Sequence, residues 1–333
     1  MALPFSIAAR VESAMRWQNF FTFGKRLQEL GFLGMNQRNA DFILLYNPRK
    51  NFPLVDDKRR TKELALAVGI AVPELYAVIE IEHQVDTLLE LLAPYEEFVI
   101  KPAHGSGGEG ILVISGKVNG RFRRSSGILA DEGDLQFHIS NILSGMFSLG
   151  GLPDCALVEY CVDFDPIFAG VSYQGVPDIR TVVFRGVPVL AMLRLPTRLS
   201  DGRANLHQGA VGVGIDLATG VTSSGIMHDD TVELHPDTGG MIGGLEIPHW
   251  DQILSLTARC YDLAGLGYIG VDIVLDRTKG PLMLEINARP GLSIQLANKQ
   301  GLLPRLRKIE AMGSIPAALE ERIALAKSLA RAS

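Results

Sequence analysis

Apolar residues recur at a helical period in several parts of the chain. In the first of these, five of them predict a helix over residues 10–34 that ends near Gly31 and Gly34: Val11, Met15, Phe20, Phe23 and Leu27. The same reasoning, with Gly and Pro as stop signals, predicts further helices over residues 57–68, 87–92, 134–147, 251–263 and 316–331.

Runs of β-branched and aromatic residues between these helices predict strands. They cover residues 98–100, 111–114, 156–162, 179–184, 187–193, 270–275 and 282–286. Tight turns at Arg185 with Gly186 and at residues 276–280 predict hairpins, and another strand pair is expected around Thr219 and Gly220. Segment 117–133, rich in Gly, Ser and Arg, predicts a mobile loop. Because helices and strands do not alternate as βαβ units, we expect an α+β fold with antiparallel sheets.

A glycine-rich loop joins the strands 98–100 and 111–114. Its six residues are Gly105, Ser106, Gly107, Gly108, Glu109 and Gly110. They match the dinucleotide pattern G-x-G-x-x-G, but that motif requires a helix after the loop, and here a strand follows. A loop between two strands can instead lie over a nucleotide triphosphate and offer backbone N–H groups to its oxygens. With the charge of Lys101 beside it, the pattern predicts a phosphate-covering flap.

The hairpin near the end of the chain carries a candidate metal site. Strand alternation places Glu285 and Asn287 on one face, and the turn at 277–280 brings Asp272 approximately opposite Glu285. Two carboxylates and an amide oxygen suit Mg²⁺ that is held partly by nucleotide phosphates. The alternative is a solvent-facing hairpin edge with incidental acids.

Several other residues have a functional and a structural interpretation. Lys58 could bind phosphate or be a surface lysine, and residues 158–162 could pair with adenine or be a buried strand. Arg180 and Arg194 could bind a substrate carboxylate or a transferred phosphoryl group, or form ion pairs. His104 could touch phosphate or pack the loop.

Composition narrows the class of protein. The 333 residues carry a net charge of −5 and are 47% hydrophobic, so we expect no general attraction to nucleic acid or to membranes. Three cysteines without metal or redox spacing indicate the cytoplasm. The chain contains no P-loop motif, no H-E-x-x-H zinc motif and no G-x-S-x-G elbow with a credible triad.

Taken in order, these motifs resemble the ATP-grasp superfamily, and most of all the RimK-type α-L-glutamate ligases. The resemblance covers roughly residues 55–300. It rests on Asp57 with Lys58, Lys101 with Pro102 and the flap, Glu159 with Tyr160, Asp178 with Arg180, Arg194, Asn205 with His207 and Gly209, Asp272, and Glu285 with Asn287.

The resemblance implies that ATP lies between two α+β lobes. It assigns phosphate contacts to Lys58, Lys101 and the flap, and adenine contacts to Glu159, Tyr160, Cys161 and Val162. Mg²⁺, with Mn²⁺ as an alternative, would be held by Asp272, Glu285 and Asn287. The candidates for binding the carboxylate and its acyl phosphate are Arg180, Arg194 and Arg289.

The implied activity is that of a carboxylate–amine ligase that adds an amino acid, such as glutamate, to a small molecule, peptide or protein tail through an acyl phosphate. We expect a reduced, helical N-terminal region (1–55), an ATP-grasp domain (56–310, with lobes of about 70–155 and 156–310) and a C-terminal helix (311–333). The short region before Lys58 and the presence of Arg289, where the family often has serine, leave glutamate specificity open. The alternatives are an ATP-grasp kinase and a nucleotide-binding partner subunit without turnover, and a homo-oligomer is left open.

Overall fold

The structure is a computed structural model, and it describes residues 25–331 except Ser106, Leu149 and Asp229. The predicted helix over residues 10–34 therefore lies partly outside the described residues, as does the flap residue Ser106. Within the described part, residues 25–29 are helical. Gly31 follows with a φ of +73°, which glycine adopts without steric cost.

Two antiparallel sheets form the framework, as the sequence predicts. The described strands are β1 Leu75–Ile79, β2 Glu97–Pro102, β3 Leu112–Val118, β4 Arg121–Arg124, β5 Leu129–Ala130, β6 Ala156–Tyr160, β7 Asp178–Phe184, β8 Val187–Leu195, β9 Val211–Ile215, β10 Thr222–Met227, β11 Asp230–Val232, β12 Tyr268–Asp276 and β13 Gly280–Asn287. The first sheet has the order β1-β6-β2-β3-β4-β5 and the second the order β11-β10-β9-β8-β7-β12-β13.

Helices cover both sheets. Beyond residue 34, the described α-helices are Met35–Gln37, Leu44–Tyr46, Pro53–Asp56, Lys58–Ala67, Leu88–Leu92, Glu132–Leu143, Trp250–Ala264, Ser293–Ala297, Leu303–Ala311 and Leu319–Arg331. A π-helical stretch, Arg38–Ile43, and four short 3₁₀ turns accompany them: Arg49–Asn51, Glu82–Thr87, Pro166–Phe168 and Leu206–Gln208. Among the described residues, no helix is both long and apolar enough to cross a membrane.

The hairpins that frame the flap and the candidate metal site are confirmed. Phe98 pairs with Ile114 across the flap, and Asp272 pairs with Glu285 in the later hairpin. The prediction of a mobile loop over residues 117–133 is wrong, because β3, β4 and β5 form a continuous meander there. Its main apolar anchor is Phe122, 3% exposed, whose ring packs edge-on against Phe98 at 5.9 Å. One buried aromatic among arginines and glycines is too weak a pattern to predict a strand.

The second sheet is buried on both faces. On one face, residues such as Ile179, Val183 and Ile273 share a core with the helix Trp250–Ala264. On the other face, residues such as Val182, Phe184 and Tyr268 share a core with the helical region near Phe42 and with the C-terminal helices. The described residues 33–52 thus contribute to the core of the second sheet.

On this second face of the sheet, the apolar residues give way to four charged residues. Register places Asp178 opposite Arg194, and Arg180 opposite Asp272. Because alternate residues of a strand share a face, these side chains stand on the same face as Val182 and Phe184, nearer the first sheet. Strand β6 pairs with β1 and β2, so we propose that the first lobe extends to Tyr160 rather than ending at about residue 155.

Replacing Ile273 tests how much core packing stabilises β12, the strand that carries Asp272. Ile273 is fully buried and adjoins Asp272 on β12. We expect Ile273→Ala to lower the free energy of unfolding by about 2–5 kcal/mol, since it leaves a cavity in the core. Urea unfolding followed by circular dichroism measures this. The control is Ile128→Ala: Ile128 is 60% exposed, so a change beyond about 0.5 kcal/mol is not expected there.

Candidate functional site

The second lobe presents a buried network of two arginines and two aspartates. Arg194 donates to both carboxylate oxygens of Asp178, at 2.5 and 2.6 Å, and its Nη2 also donates to Oδ2 of Asp272 at 2.7 Å. Arg180 donates through Nε and Nη2 to the two oxygens of the same Asp272. Both aspartate side chains are nearly inaccessible to solvent. Of the two interpretations of Arg194, the structure therefore supports ion pairing, but in a buried network rather than on the surface.

The two aspartates of this network have opposite pKa shifts. Burial raises the pKa of Asp272, but Arg180 and Arg194 together outweigh burial and bring its pKa down to about 2. For Asp178 burial prevails over the pull of Arg194, and its pKa rises to about 6. The difference follows from the number of guanidinium groups that donate to each carboxylate, two to Asp272 and one to Asp178, and from the charge of Asp272, which further raises the pKa of Asp178.

Glu285 and Asn287 lie beside this network at the more open end of the site. Asn287 Nδ2 donates to Glu285 Oε1 at 2.9 Å, and Arg180 Nη2 is 3.9 Å from the same oxygen. The Glu285 side chain is 32% exposed. Glu285 and Asn287 fit a hard cation such as Mg²⁺, because a carboxylate and an amide, both with oxygen donors, stand on the same face of β13. Asp272 fits only in part, because both its oxygens already accept from arginine.

No group of three His, Cys, Asp or Glu side chains that could hold a metal occurs in the part of the chain that the structure describes. The predicted set has two acids and an amide, so it would need further oxygen ligands from outside the protein. Phosphate oxygens of a nucleotide are the usual source for Mg²⁺.

A buried triad that the sequence did not predict as a unit joins the first lobe to the helix Lys58–Ala67. Glu159 is 3% exposed; its Oε2 lies 2.7 Å from Lys62 Nζ, and its Oε1 pairs with Lys101. Two ammonium groups share one carboxylate, so one positive charge is left over. Burial lowers the pKa of Lys62 to about 8, against the opposing pull of Glu159. One feature of the sequence could have indicated Lys62: its spacing from Lys58 puts both lysines on one side of a helix.

Lys58 connects the lobes. Asp57 caps its helix by accepting from the backbone N–H groups of Arg59 and Arg60, which fixes the first turn. From there Lys58 Nζ donates to the carbonyl oxygen of Gly105 in the flap and lies 4.0 Å from Glu285 Oε2. Burial lowers the pKa of Lys58, although Glu285 acts in the opposite direction.

The flap lies over this region and contacts both lobes. Gly107, Gly108 and Gly110 have positive φ values, and a Cβ on Gly110 would lie 2.6 Å from the ring of Phe147. Asn205 Nδ2 from the second lobe lies 3.4 Å from the carbonyl oxygen of Gly107. Glu109 is exposed. The flap is thus a folded turn that requires glycine at several positions and contacts the second lobe through Asn205.

The predicted hinge residues border the same space. The Tyr160 hydroxyl donates to Asp276 at 2.9 Å and so joins β6 to the second sheet, while Cys161 and Val162 are half-buried. The side chain of Glu159 is directed into the lysine triad. An adenine contact in this segment would therefore use backbone groups.

Arg289 is placed differently from Arg180 and Arg194. Its side chain is exposed and lies over the ring of Phe52, 4.9 Å from the centroid. No hydrogen bond or ion pair among the described residues joins it to the buried network. The structure therefore does not bring the three arginines together into one cluster.

Comparison with known proteins bears on the fold. The model of a family described as sugar-transfer associated ATP-grasp matches residues 37–311. No curated protein matches the chain. Among solved structures, pyruvate carboxylase from Rhizobium etli is similar with a TM-score of 0.51 at 13% identity, covering 86% of this chain and 21% of that one. The predicted ATP-grasp fold is confirmed.

Two ligases are also similar in structure. The ATP-grasp ligase PsnB, in complex with a minimal precursor, has a TM-score of 0.44 at 15% identity, over 80% of this chain and 63% of that chain. D-alanine–D-alanine ligase from Bacillus anthracis has a TM-score of 0.42 at 12% identity, over 85% and 69%. The chain thus spans less than two thirds of the length of PsnB.

Replacing Arg194 tests its position in the network. We expect Arg194→Leu to lower the free energy of unfolding by about 3–5 kcal/mol at pH 7, because it leaves the buried Asp178 unpaired and Asp272 with Arg180 alone. Without the guanidinium, the pKa values of Asp178 and Asp272 rise in the folded state. A raised folded-state pKa gives stability at low pH that is lost as pH rises, so the deficit relative to the wild type should shrink from pH 7 toward pH 4.

Denaturant unfolding at several pH values measures this deficit. Arg289→Leu is the matched control, since it loses only a cation–π contact of about 1 kcal/mol or less and should show no such pH trend. Equal deficits at pH 7 and pH 4 for Arg194→Leu would contradict the network.

Proposed function

The chain belongs to the sugar-transfer associated ATP-grasp family, and we propose that it is an ATP- and Mg²⁺-dependent carboxylate–amine ligase. One observation carries the proposal: Lys58 lies between the flap carbonyl of Gly105 and the carboxylate of Glu285. A lysine ammonium at the base of the flap thereby lies beside an acidic oxygen of the second lobe. A polyphosphate with its metal needs both.

We propose that ATP occupies this space. Lys58, Lys101 and the N–H groups of flap residues 105–110 bind its phosphates, and the backbone of residues 159–162 binds adenine. The unbalanced positive charge of the Lys62–Glu159–Lys101 triad supports this assignment, since a buried excess charge is stabilised by a bound anion. The use of ATP and three unpaired cysteines fits the cytoplasm.

Glu285 and Asn287 would hold Mg²⁺, or Mn²⁺ in its place, and Asp272 would join them where an arginine moves from one of its oxygens. The metal offsets the negative charge of the phosphate oxygens. Arg180 is 11% exposed and lies at the border between Asp272 and Glu285, so it is our candidate for the substrate carboxylate. Arg194 would position Asp272, and Arg289 would act at the entrance of the site.

The proposed reaction has two steps. A carboxylate oxygen attacks the γ-phosphorus, and ADP leaves with the electrons of the broken P–O bond. The amine nitrogen then attacks the carbonyl carbon of the acyl phosphate; a C–N bond forms, the C–O bond to phosphate breaks, and the nitrogen loses a proton. Lysine and arginine charges at the phosphoryl group stabilise both transition states. Following the RimK-type resemblance, we propose an amino acid such as glutamate as one substrate, and a small molecule, peptide or protein tail as the other.

One observation favours a second candidate, a nucleotide-binding protein without turnover. Both oxygens of Asp272 already accept from arginine, which reduces the set of ready metal ligands to Glu285 and Asn287.

The two candidates differ in the fate of bound ATP. The wild-type protein is incubated with ATP, Mg²⁺, hydroxylamine and a panel of amino acids and sugar acids as carboxylates. We expect ADP, phosphate and a hydroxamate, because hydroxylamine captures an acyl phosphate. If calorimetry shows that Mg-ATP binds but ADP forms with no member of the panel, the second candidate is supported. ADP with a stable phosphorylated product and no hydroxamate indicates a kinase.

Replacing Glu285 tests the metal assignment. We expect Glu285→Gln to reduce Mg²⁺-dependent ADP formation by at least roughly 100-fold, since a neutral amide is a much weaker ligand than a carboxylate. Because the side chain is partly exposed, thermal unfolding should change little. Glu90→Gln, an exposed acid on the helix Leu88–Leu92, serves as the control and should retain activity. Unchanged Mg²⁺ dependence in Glu285→Gln would remove the assignment.

A further inference from the structure

The base of the flap carries a histidine held by a buried carboxylate. Asp154 Oδ1 is 2.7 Å from Nδ1 of His104, and Asp154 also accepts from the backbone N–H groups of His104 (3.0 Å) and Cys155 (2.8 Å). The Ser148 hydroxyl donates to its second oxygen at 2.5 Å. The Asp154 side chain is fully buried, whereas the His104 side chain is 45% exposed. The two residues are 50 positions apart, so the sequence offered no sign of this pair.

The hydrogen bonds of Asp154 determine which ring nitrogen of His104 is free. Burial raises the pKa of Asp154, but its bonds from Ser148, His104 and Cys155 outweigh burial and lower the pKa overall. An ionised carboxylate only accepts hydrogen bonds, so Nδ1 of His104 must carry the hydrogen. In the neutral ring, the lone pair is then on Nε2, the nitrogen that faces away from Asp154.

Nε2 lies beside the space that we assign to the phosphates. It is 3.9 Å from Asp57 Oδ2, at the cap of the helix that begins with Lys58. The carbonyl oxygens on either side of His104, those of Ala103 and Gly105, are the ones that Lys58 Nζ contacts. The charged groups that face the ring are therefore Asp154 at Nδ1, Asp57 at Nε2, and the Lys58 ammonium beneath the flap.

We propose that His104 is the base of the ligation step and takes the proton of the attacking amine on Nε2. This role rests on the function proposed above. As the C–N bond forms and phosphate leaves with the electron pair of the C–O bond, the amine nitrogen transfers its proton to Nε2. The resulting imidazolium lies between the carboxylates of Asp154 and Asp57, and it returns the proton to solvent through its exposed edge. The arrangement of carboxylate, oriented imidazole and open nitrogen is the one that general base catalysis requires.

The first test separates proton transfer from acyl phosphate formation. His104→Gln keeps a donor for Asp154 but removes the basic nitrogen. With the carboxylate and amine that the wild type joins, we expect amide formation to fall by roughly 100-fold or more. Hydroxamate formation and Mg-ATP affinity should be unchanged, because hydroxylamine is nucleophilic enough to attack an acyl phosphate without a base, and its adduct loses the proton directly to water. Equal losses in hydroxamate and amide would overturn the proposal.

Imidazole rescue distinguishes the two roles, because added imidazole can replace a missing base but not a missing structural contact. We expect added imidazole to restore part of the amide formation of His104→Ala. The matched control is His138→Ala, which removes a histidine of the helix Glu132–Leu143 that contacts the flap, its Nε2 being 3.0 Å from the carbonyl oxygen of Gly110. His138→Ala should gain nothing from imidazole, and rescue of both variants or of neither would count against His104.

A third measurement does not depend on substrates. Long-range ¹H–¹⁵N spectra of the wild-type protein, with His104 assigned by comparison with His104→Gln, should show the neutral ring protonated on Nδ1. Asp154→Asn should abolish that preference. A ring protonated on Nε2 overturns the proposal even where the ligase activity is confirmed, whereas a ring protonated on Nδ1 in a protein that makes no hydroxamate indicates failure of the ligase function alone.

Discussion

The pairing of Arg194 with two aspartates is the interaction on which the second lobe depends. Three strands contribute to it, and each ionised group is buried. A member that lost its partners would therefore leave an uncompensated charge in the interior. The register of β7 with β8 and β12 is therefore constrained by charge as well as by the apolar core. That constraint also determines where Glu285 stands, because β13 takes its register from β12.

The two lobes carry complementary charges where they meet. At the first lobe, Lys101 and Lys62, the latter from the helix Lys58–Ala67, share Glu159, which leaves one positive charge. In the second, Arg180 and Arg194 balance Asp178 and Asp272, and Glu285 leaves one negative charge. Lys58, 4.0 Å from Glu285, lies between the two clusters. A ligand that brings phosphates for the first lobe and a cation for the second would satisfy both at once.

The sequence predicts local structure near this site better than it predicts partners. Alternation and turn length place Asp272 opposite Glu285, and the apolar period with its stop signal predicts the helix that carries Lys58. Both rest on interactions within a few residues or across one hairpin. The engagement of Arg194 with Asp272 requires knowing that β7 lies between β8 and β12, and the pair of His104 with Asp154 requires knowing where β6 begins. Such contacts depend on sheet order, which short patterns do not encode.

Lys58 is the group for which the flap and the proposed phosphate site would compete. Its ammonium contacts the carbonyl oxygens of Ala103 and Gly105, both neutral acceptors, at the root of the flap. A phosphate oxygen is a charged acceptor and forms the stronger hydrogen bond with a lysine, especially where burial already disfavours the unpaired ammonium. Binding of a polyphosphate would thus draw Lys58 from the flap, and the backbone N–H groups of residues 107–110 would turn to the same anion. The glycines with positive φ make that adjustment sterically accessible, because no Cβ restricts their backbone.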